Sequence, residues 1–300
     1  MGERVPVGCR VVVVAVAAVF AAACSAGPAP PAAPSRAARV APARLSDTLP
    51  DDPVRMVLPA TGAETRWTQG LDVLVRQEAR AVAASCARDH RTVLPARAPL
   101  TFIRYYELPD LDFVARHGMS ESAPVPVPAP VPATTGTNTG GGNGSGGSGG
   151  PAAARRCLAA GTAAATALRD GYAALQGRWF DALVPLRRDP AVLRALRTLP
   201  GCLAGHGIRV RDENGFFALA DSRAQTTAPD RLPAVEHALG DAYADCMRPV
   251  EAVREPARLR LRARFVAEHA AAIRGLRATL VPSLRRAERE HGLRLVFPAP

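Results

Sequence analysis

The chain has 300 residues and a formal net charge of +11, and all 38 of its basic residues are arginine. That length leaves room for one or two domains. The positive balance favours anionic lipid surfaces or acidic polymers. Aromatic residues are only 5% of the chain, too few for a base-stacking surface, which argues against nucleic acid as partner.

The amino end reads as an export signal over residues 1–23. Arg4 and Arg10 form a basic stretch, and Val11 to Ala23 is a short apolar run followed by Cys24. Such a run is shorter than the roughly 20 residues a spanning helix needs. The Ala21-Ala22-Ala23-Cys24 junction resembles the lipobox of bacterial lipoproteins, in which the cysteine is acylated and becomes the new amino terminus. Alanine stands at position 21 where that pattern usually has leucine. The alternative is therefore a cut by ordinary signal peptidase and plain secretion.

Cys9 would leave with the signal and Cys24 would carry lipid. Cys86, Cys157, Cys202 and Cys246 remain. In an exported chain four cysteines read as two disulfides, with three connectivities open. No CxxC spacing occurs, so a zinc cluster has no support.

In chain order, residues 24–63 read as an Ala/Pro-rich disordered tether. From Glu64 the residues Trp67, Leu71, Leu74, Val75, Val82 and Cys86 recur at helical spacing. Thr101 to Tyr106 has strand character. Asp110 opens a short helix that Gly118 stops. Residues 122–152 turn Pro-rich and then Gly-rich and read as disordered. They form either a linker or, if Cys86 bonds Cys157, a loop inside one domain. Leu168, Tyr172, Leu175, Trp179 and Leu183 make another helical stripe. Asp189-Pro190 starts the next helix. Ile208–Val210 and Phe216–Leu219 flank Asp212-Glu213-Asn214-Gly215 and read as a hairpin. A helix is expected from Pro233 to Arg248 and a longer one from Pro256, bent or broken at Pro282 and capped by Gly292. Leu293 to Phe297 is a candidate terminal strand.

The cysteine settings resemble those of uncharacterised exported proteins and lipoproteins of actinobacteria. The carriers are Ala84-Ser85-Cys86, the run Arg104-Tyr105-Tyr106 to Gly118, Arg155-Arg156-Cys157, Gly201-Cys202 to Gly207, and Ala244-Asp245-Cys246. Ala87 and Leu203 stand where that group often has methionine. The resemblance implies the pairs Cys86–Cys157 and Cys202–Cys246 and brings no known activity.

Catalytic signals are thin. His90, His117, His206, His237, His269 and His291 show no HExxH or i, i+4 pair. Ser85 and Ser120 lack a G-x-S-x-G elbow. Asp110 with Asp112, and Asp241 with Asp245, are read as helix-opening or solvated acids rather than a glycosidase pair. The glycine run is no phosphate loop. The final helix carries the one candidate binding surface, for an anionic wall polymer, lipid headgroups or an acidic envelope protein. Its residues are Arg258, Arg262, Arg274, Arg277, Arg285, Arg286 and Arg289.

The expected fold is thus mainly α: one irregular helical domain over residues 64–300, with a few short strands, two disulfides and the long Pro/Gly-rich loop. The expected role is that of an exported, lipid-anchored envelope protein, a non-catalytic binding or accessory component without cofactor or metal. A cell-envelope hydrolase acting on wall polymer is the alternative. A transporter's solute-binding component would need two α/β lobes, which the few short strands do not supply.

Overall fold

Two short elements precede the first long helix. Strand β1 spans Arg44–Ser46 and helix α1 spans Val54–Val57. Their positions come from a computed structural model, which describes residues 43–105, 107–119, 123–126 and 150–299. The signal segment, Cys24, residues 25–42, Tyr106, Ser120 and residues 127–149 lie outside the described residues.

The first correction falls here. Residues 43–63 do not continue the tether expected over residues 24–63. Met56, Val57, Leu58 and Ala60 are fully buried. The short apolar run Val54-Arg55-Met56-Val57-Leu58 gives up water-exposed surface by packing. Two buried side chains then fix its backbone: Thr68 Oγ1 donates to Met56 O at 2.9 Å, and Trp179 Nε1 donates to Pro59 O at 2.9 Å.

Helix α2 spans Thr65–Asp89 and α3 spans Leu111–His117. Asp110 caps α3 by accepting from Phe113 N at 3.1 Å, and Gly118 ends it at φ 80°, where only glycine sits without strain. Thr101 to Tyr105 forms no strand. Phe102 is buried and Ile103 is half exposed, the alternation that suggested one. Arg76 Nη2 and Tyr105 Oη, bonded to Thr101 O and Asp72 Oδ2, hold this stretch against α2 instead of a neighbouring strand.

The expected loop is shorter than 122–152 at both ends. Ala123 is buried and Pro126 O accepts from Gln77 Nε2 at 2.9 Å. Helix α4 (Gly150–Asp170) already begins at its far side. Ala153, Cys157 and Gly161 form the buried face of α4 at i, i+4 and i+8. A Cβ on Gly161 would stand 2.2 Å from Ala79 O, so only glycine lets α4 approach α2 this closely. Helix α5 spans Ala173–Leu183 and leads into a 3-10 segment, Val184–Arg188. Next come α6 (Pro190–Leu196) and α7 (Leu199–Gly205). Asp189 caps α6 through Ala191 N at 2.7 Å.

The hairpin expected around residues 212–215 is instead the start of α8 (Glu213–Thr226). Asp212 is its N-cap and accepts from Gly215 N at 2.8 Å. Phe216 and Ala220 are both buried, four residues apart on one helical face. A turn and a cap draw on the same residue types, and burial at helical spacing decides between them.

Helix α9 runs unbroken from Leu232 to Glu268 through Pro249 and Pro256. A proline inside a helix costs about 3 kcal/mol. The residues between the two prolines offset that cost. Val250 lies in the core, and Glu251 and Arg254 belong to a largely buried ion network. Helix α10 (Ala270–His291) runs on through Pro282 and ends at Gly292, φ 63°. Strand β2 (Phe297–Ala299) lies antiparallel to β1, with Arg44 opposite Ala299 and Ser46 opposite Phe297.

Two large apolar cores result, with a smaller cluster of Val73, Phe102, Ala123 and Val296. The first gathers Met56, Leu71, Leu74, Trp179, Leu284 and Phe297 from α1, α2, α5, α10 and β2. The second gathers Leu199, Leu203, Phe216, Tyr243 and Met247 from α7, α8 and the first half of α9. Each has one disulfide beside it, Cys86–Cys157 in the first region and Cys202–Cys246 in the second, with Cα separations of 5.3 and 5.6 Å. Helix α9 serves both cores, since Phe265 near its end belongs to the first. The chain is mainly helical with one two-stranded sheet among the described residues. No described helix is long and apolar enough to cross a membrane.

Candidate functional site

The arginines expected to make one basic surface separate into three kinds. Arg258 is only 4% exposed. Its Nε donates to Ala60 O at 2.8 Å and its Nη2 pairs with Glu251. Arg262 pairs with Glu64, whose Oε2 also accepts from Ala60 N at 2.7 Å. Both guanidinium groups therefore hold the backbone of residues 58–64 against α9, and they leave the proposed binding surface. A buried guanidinium is tolerated only with this kind of full pairing. Arg277 pairs with Asp52 at 2.6 Å and Arg285 with Glu288 at 2.7 Å. The bond from Arg277 holds the Asp52 carboxyl below its usual range, against some desolvation. Arg274, Arg286 and Arg289 remain exposed, with no ion pair among the described residues. Arg286 lines a cavity of ≈ 280 Å³ together with Glu78, Glu290 and His291, so its positive charge faces two carboxylates there.

A larger concave site lies elsewhere. The 3-10 segment, α6, the start of α8 and the middle of α9 surround a groove of ≈ 810 Å³. One wall is apolar, formed by Leu186, Leu193, Leu196 and Phe217. Leu193 is 44% exposed, although it lies on a helix whose other face is packed in the core. Five arginines line the same groove: Arg187, Arg197, Arg211, Arg254 and Arg258.

Its carboxylates are already engaged. Glu213 accepts from Tyr243 Oη at 2.8 Å and from Arg254 Nη2 at 3.0 Å. Asp212 caps α8, and Glu107 pairs with Arg187 at the exposed rim. Arg254 and Arg258 are held by Glu213 and Glu251. Arg197 and Arg211 are exposed and have no ion pair among the described residues. The groove therefore has surplus positive charge beside exposed apolar side chains. Guanidinium groups keep their charge across the ordinary pH range and donate in a planar fork, which suits holding an oxyanion.

The other candidate residues are dispersed. Asp110 lines a small cavity of ≈ 20 Å³ and pairs with Arg66. Asp112 faces solvent and pairs with Arg248 at 3.1 Å. His117 is buried, its ring 4.6 Å from that of Phe113. His206 Nε2 lies 3.1 Å from Asp245 Oδ2 at the surface. Only Asp110 of these four lines that cavity. Asp241 and Asp245 are exposed, as is Ser85. Cys202, His206, Asp245 and Cys246 place ligand-type atoms within 4.8 Å of one another, but both sulfurs are bonded in the disulfide and offer no thiolate.

Sequence reasoning missed the groove because its residues fall on four separate segments. In the sequence alone, Leu193 and Leu196 continue one apolar face with Val192, Leu199 and Leu203. The available signal was a widened stripe: Val192 and Leu193 are adjacent and cannot both face one core. Comparison with family models, with curated proteins and with solved structures found no match for the chain.

Proposed function

We propose that the protein is an exported, lipid-anchored component of the cell envelope that binds an acidic ligand in this groove without transforming it. The single observation that carries the binding reading is the pair Arg197 and Arg211, cations without an ion pair among the described residues in a concave site whose carboxylates are all engaged. Large concave sites with a few convergent polar groups are the usual seats of ligands. The arginine lining supports holding an anion more than proton transfer, because guanidinium does not titrate near neutral pH.

The address rests on the amino-terminal run ending at Cys24 and on the disulfides, which persist in oxidising compartments. Cleavage before Cys24 and diacylation of its sulfur would moor the chain stably, since each buried CH₂ adds about 0.8 kcal/mol. The resemblance to exported actinobacterial lipoproteins points the same way. The groove moves the expected contact with acidic partners from the final helix to residues 186–217.

Membrane fractionation tests the address. Cys24→Ala is expected to release the protein into the soluble fraction, and retention without acylation would defeat the anchor. Binding is tested with Arg197→Ala/Arg211→Ala against an acidic wall polymer or anionic amphiphile. Affinity should fall at least tenfold, whereas Arg274→Ala/Arg289→Ala, at exposed positions of α10, should leave it unchanged. The reverse pattern would return the site to the final helix.

A further inference from the structure

The chemistry of the groove specifies more than an anion. A site for a fully hydrophilic polyanion needs no apolar wall, and water-exposed leucine is unfavourable in proportion to its apolar area. Here Leu193 is 44% exposed and stands with Leu186, Leu196 and Phe217 along the same groove that carries Arg197 and Arg211. Other apolar residues of the second region are buried completely: Leu199, Leu203 and Phe216 are each at 0%. The same stretch of chain thus seals one face and leaves the other open.

We infer that the groove seats one anionic amphiphile, a phosphate head held by Arg197 and Arg211 and an alkyl chain laid along Leu186, Leu193, Leu196 and Phe217. The inference rests on the binding reading above and names its ligand class. A guanidinium fork matches two phosphate oxygens, and two such groups match a doubly charged head. The committed carboxylates matter as much. Glu107 and Glu213 are neutralised by Arg187 and Arg254, while Asp212 caps the α8 amino terminus and keeps its charge. The head therefore meets two cations against one remaining carboxylate, a net positive field. A volume of ≈ 810 Å³ falls within the roughly 300–1,000 Å³ range of small-molecule sites, and an extended polymer strand is not required to fill it.

Calorimetric titration of the exported chain carrying Cys24→Ala, purified without detergent, tests this directly. The probes are dodecyl phosphate below its micelle threshold, octyl phosphate, methyl phosphate, a neutral dodecyl glycoside and vesicles containing phosphatidate. Dodecyl phosphate is expected to bind at one site. Shortening the chain should weaken binding by roughly fourfold per carbon removed, from the transfer free energy of a CH₂ group. The neutral glycoside and methyl phosphate should each bind at least tenfold more weakly. Arg197→Ala/Arg211→Ala should weaken dodecyl phosphate at least tenfold, and Leu193→Asp should erase the dependence on chain length. Both alter exposed residues, so an unchanged unfolding curve separates loss of binding from loss of fold.

Equal affinity for methyl and dodecyl phosphate would overturn the amphiphile and leave the anion-binding reading standing. Equal affinity for the neutral glycoside would overturn the assignment of the arginines. Binding to phosphatidate vesicles with no binding of monomers would place the contact at the bilayer surface instead of the groove, which also overturns the inference. Failure of every probe, together with an acidic wall polymer, would remove both readings.

Discussion

The two cores are built differently, and the difference assigns them different tasks. The first closes residues far apart in the chain onto one another. Met56, Trp179, Leu284 and Phe297 share one cluster, with Trp179 at 0% exposure. The second packs short consecutive helices, α7 and α8, on one half of α9, with α6 beside them. Short helices present two faces within a few residues. Val192 is buried while Leu193 beside it is half open. A sealed core gives rigidity, and a core with an open flank supplies apolar side chains to a ligand.

Four experiments bear on that contrast. Trp179→Ala in the sealed core should cost about 3–5 kcal/mol, because it leaves a cavity and orphans Pro59 O. Leu193→Ala on the open flank should change stability by less than about 0.5 kcal/mol, as for a surface position. Denaturant unfolding of the two variants measures both. Equal losses would mean that the flank is closed.

Arg258→Ala should cost about 3 kcal/mol. It strands the buried Glu251 carboxylate and Ala60 O on the helix that joins the two cores. Arg274→Ala, exposed on α10, should stay within about 0.5 kcal/mol. Similar effects for the two would return Arg258 to the surface set.

The disulfides compare the regions through the loops they close, with Cys246 itself part of the second core. Their sequence separations are 71 and 44 residues. Loop entropy gives each about 2–4 kcal/mol and a difference of only about 0.4 kcal/mol in favour of Cys86–Cys157. Paired Cys→Ala variants, compared by unfolding in the absence of reductant, measure that difference. A gap well beyond it would report packing around the bonds, not chain entropy.

The smallest effect is a pH dependence in the first region. Burial raises the Asp72 carboxyl above its usual range, and the hydrogen bond from Tyr105 only partly opposes this. Between the usual value and its own, the folded state binds the proton more tightly than the unfolded chain. Stability from this group is therefore highest in acid and falls as pH rises through that window. Asp72→Asn keeps an acceptor for Tyr105 and should reduce this slope, the remainder coming from Glu78 and Glu255, whose carboxyls burial also raises, and should leave the variant slightly more stable at neutral pH. Denaturant titrations from acid to neutral pH would show an unchanged slope if another group were responsible.

Much of the helical architecture could be read directly. The stripe through Leu71, Leu74 and Val75, the Asp110 and Asp189 caps, and Gly118 and Gly292 as stops all follow local rules. What escaped was decided by distant partners. Val54 to Leu58 is too short to show a period, and its burial depends on α9 and α10. Pro249 and Pro256 mark helix ends by local chemistry, yet Glu251, Arg254 and Arg258 between and beyond them find buried partners that keep α9 whole. Arginine at 258 and 262 looks like a solvated face in sequence, because the carboxylates that claim them sit at 251 and 64. The groove was illegible for the same reason: no single segment contains both its cations and its apolar wall.

The pairing of Arg44 with Ala299 brings the polypeptide in and out at one spot on the fold. The two ends can therefore be spliced by a few residues into a ring, and the chain reopened between 126 and 150. A circularly permuted version should keep both cores and the groove. A reporter inserted directly after Ala299 would start beside strand β1.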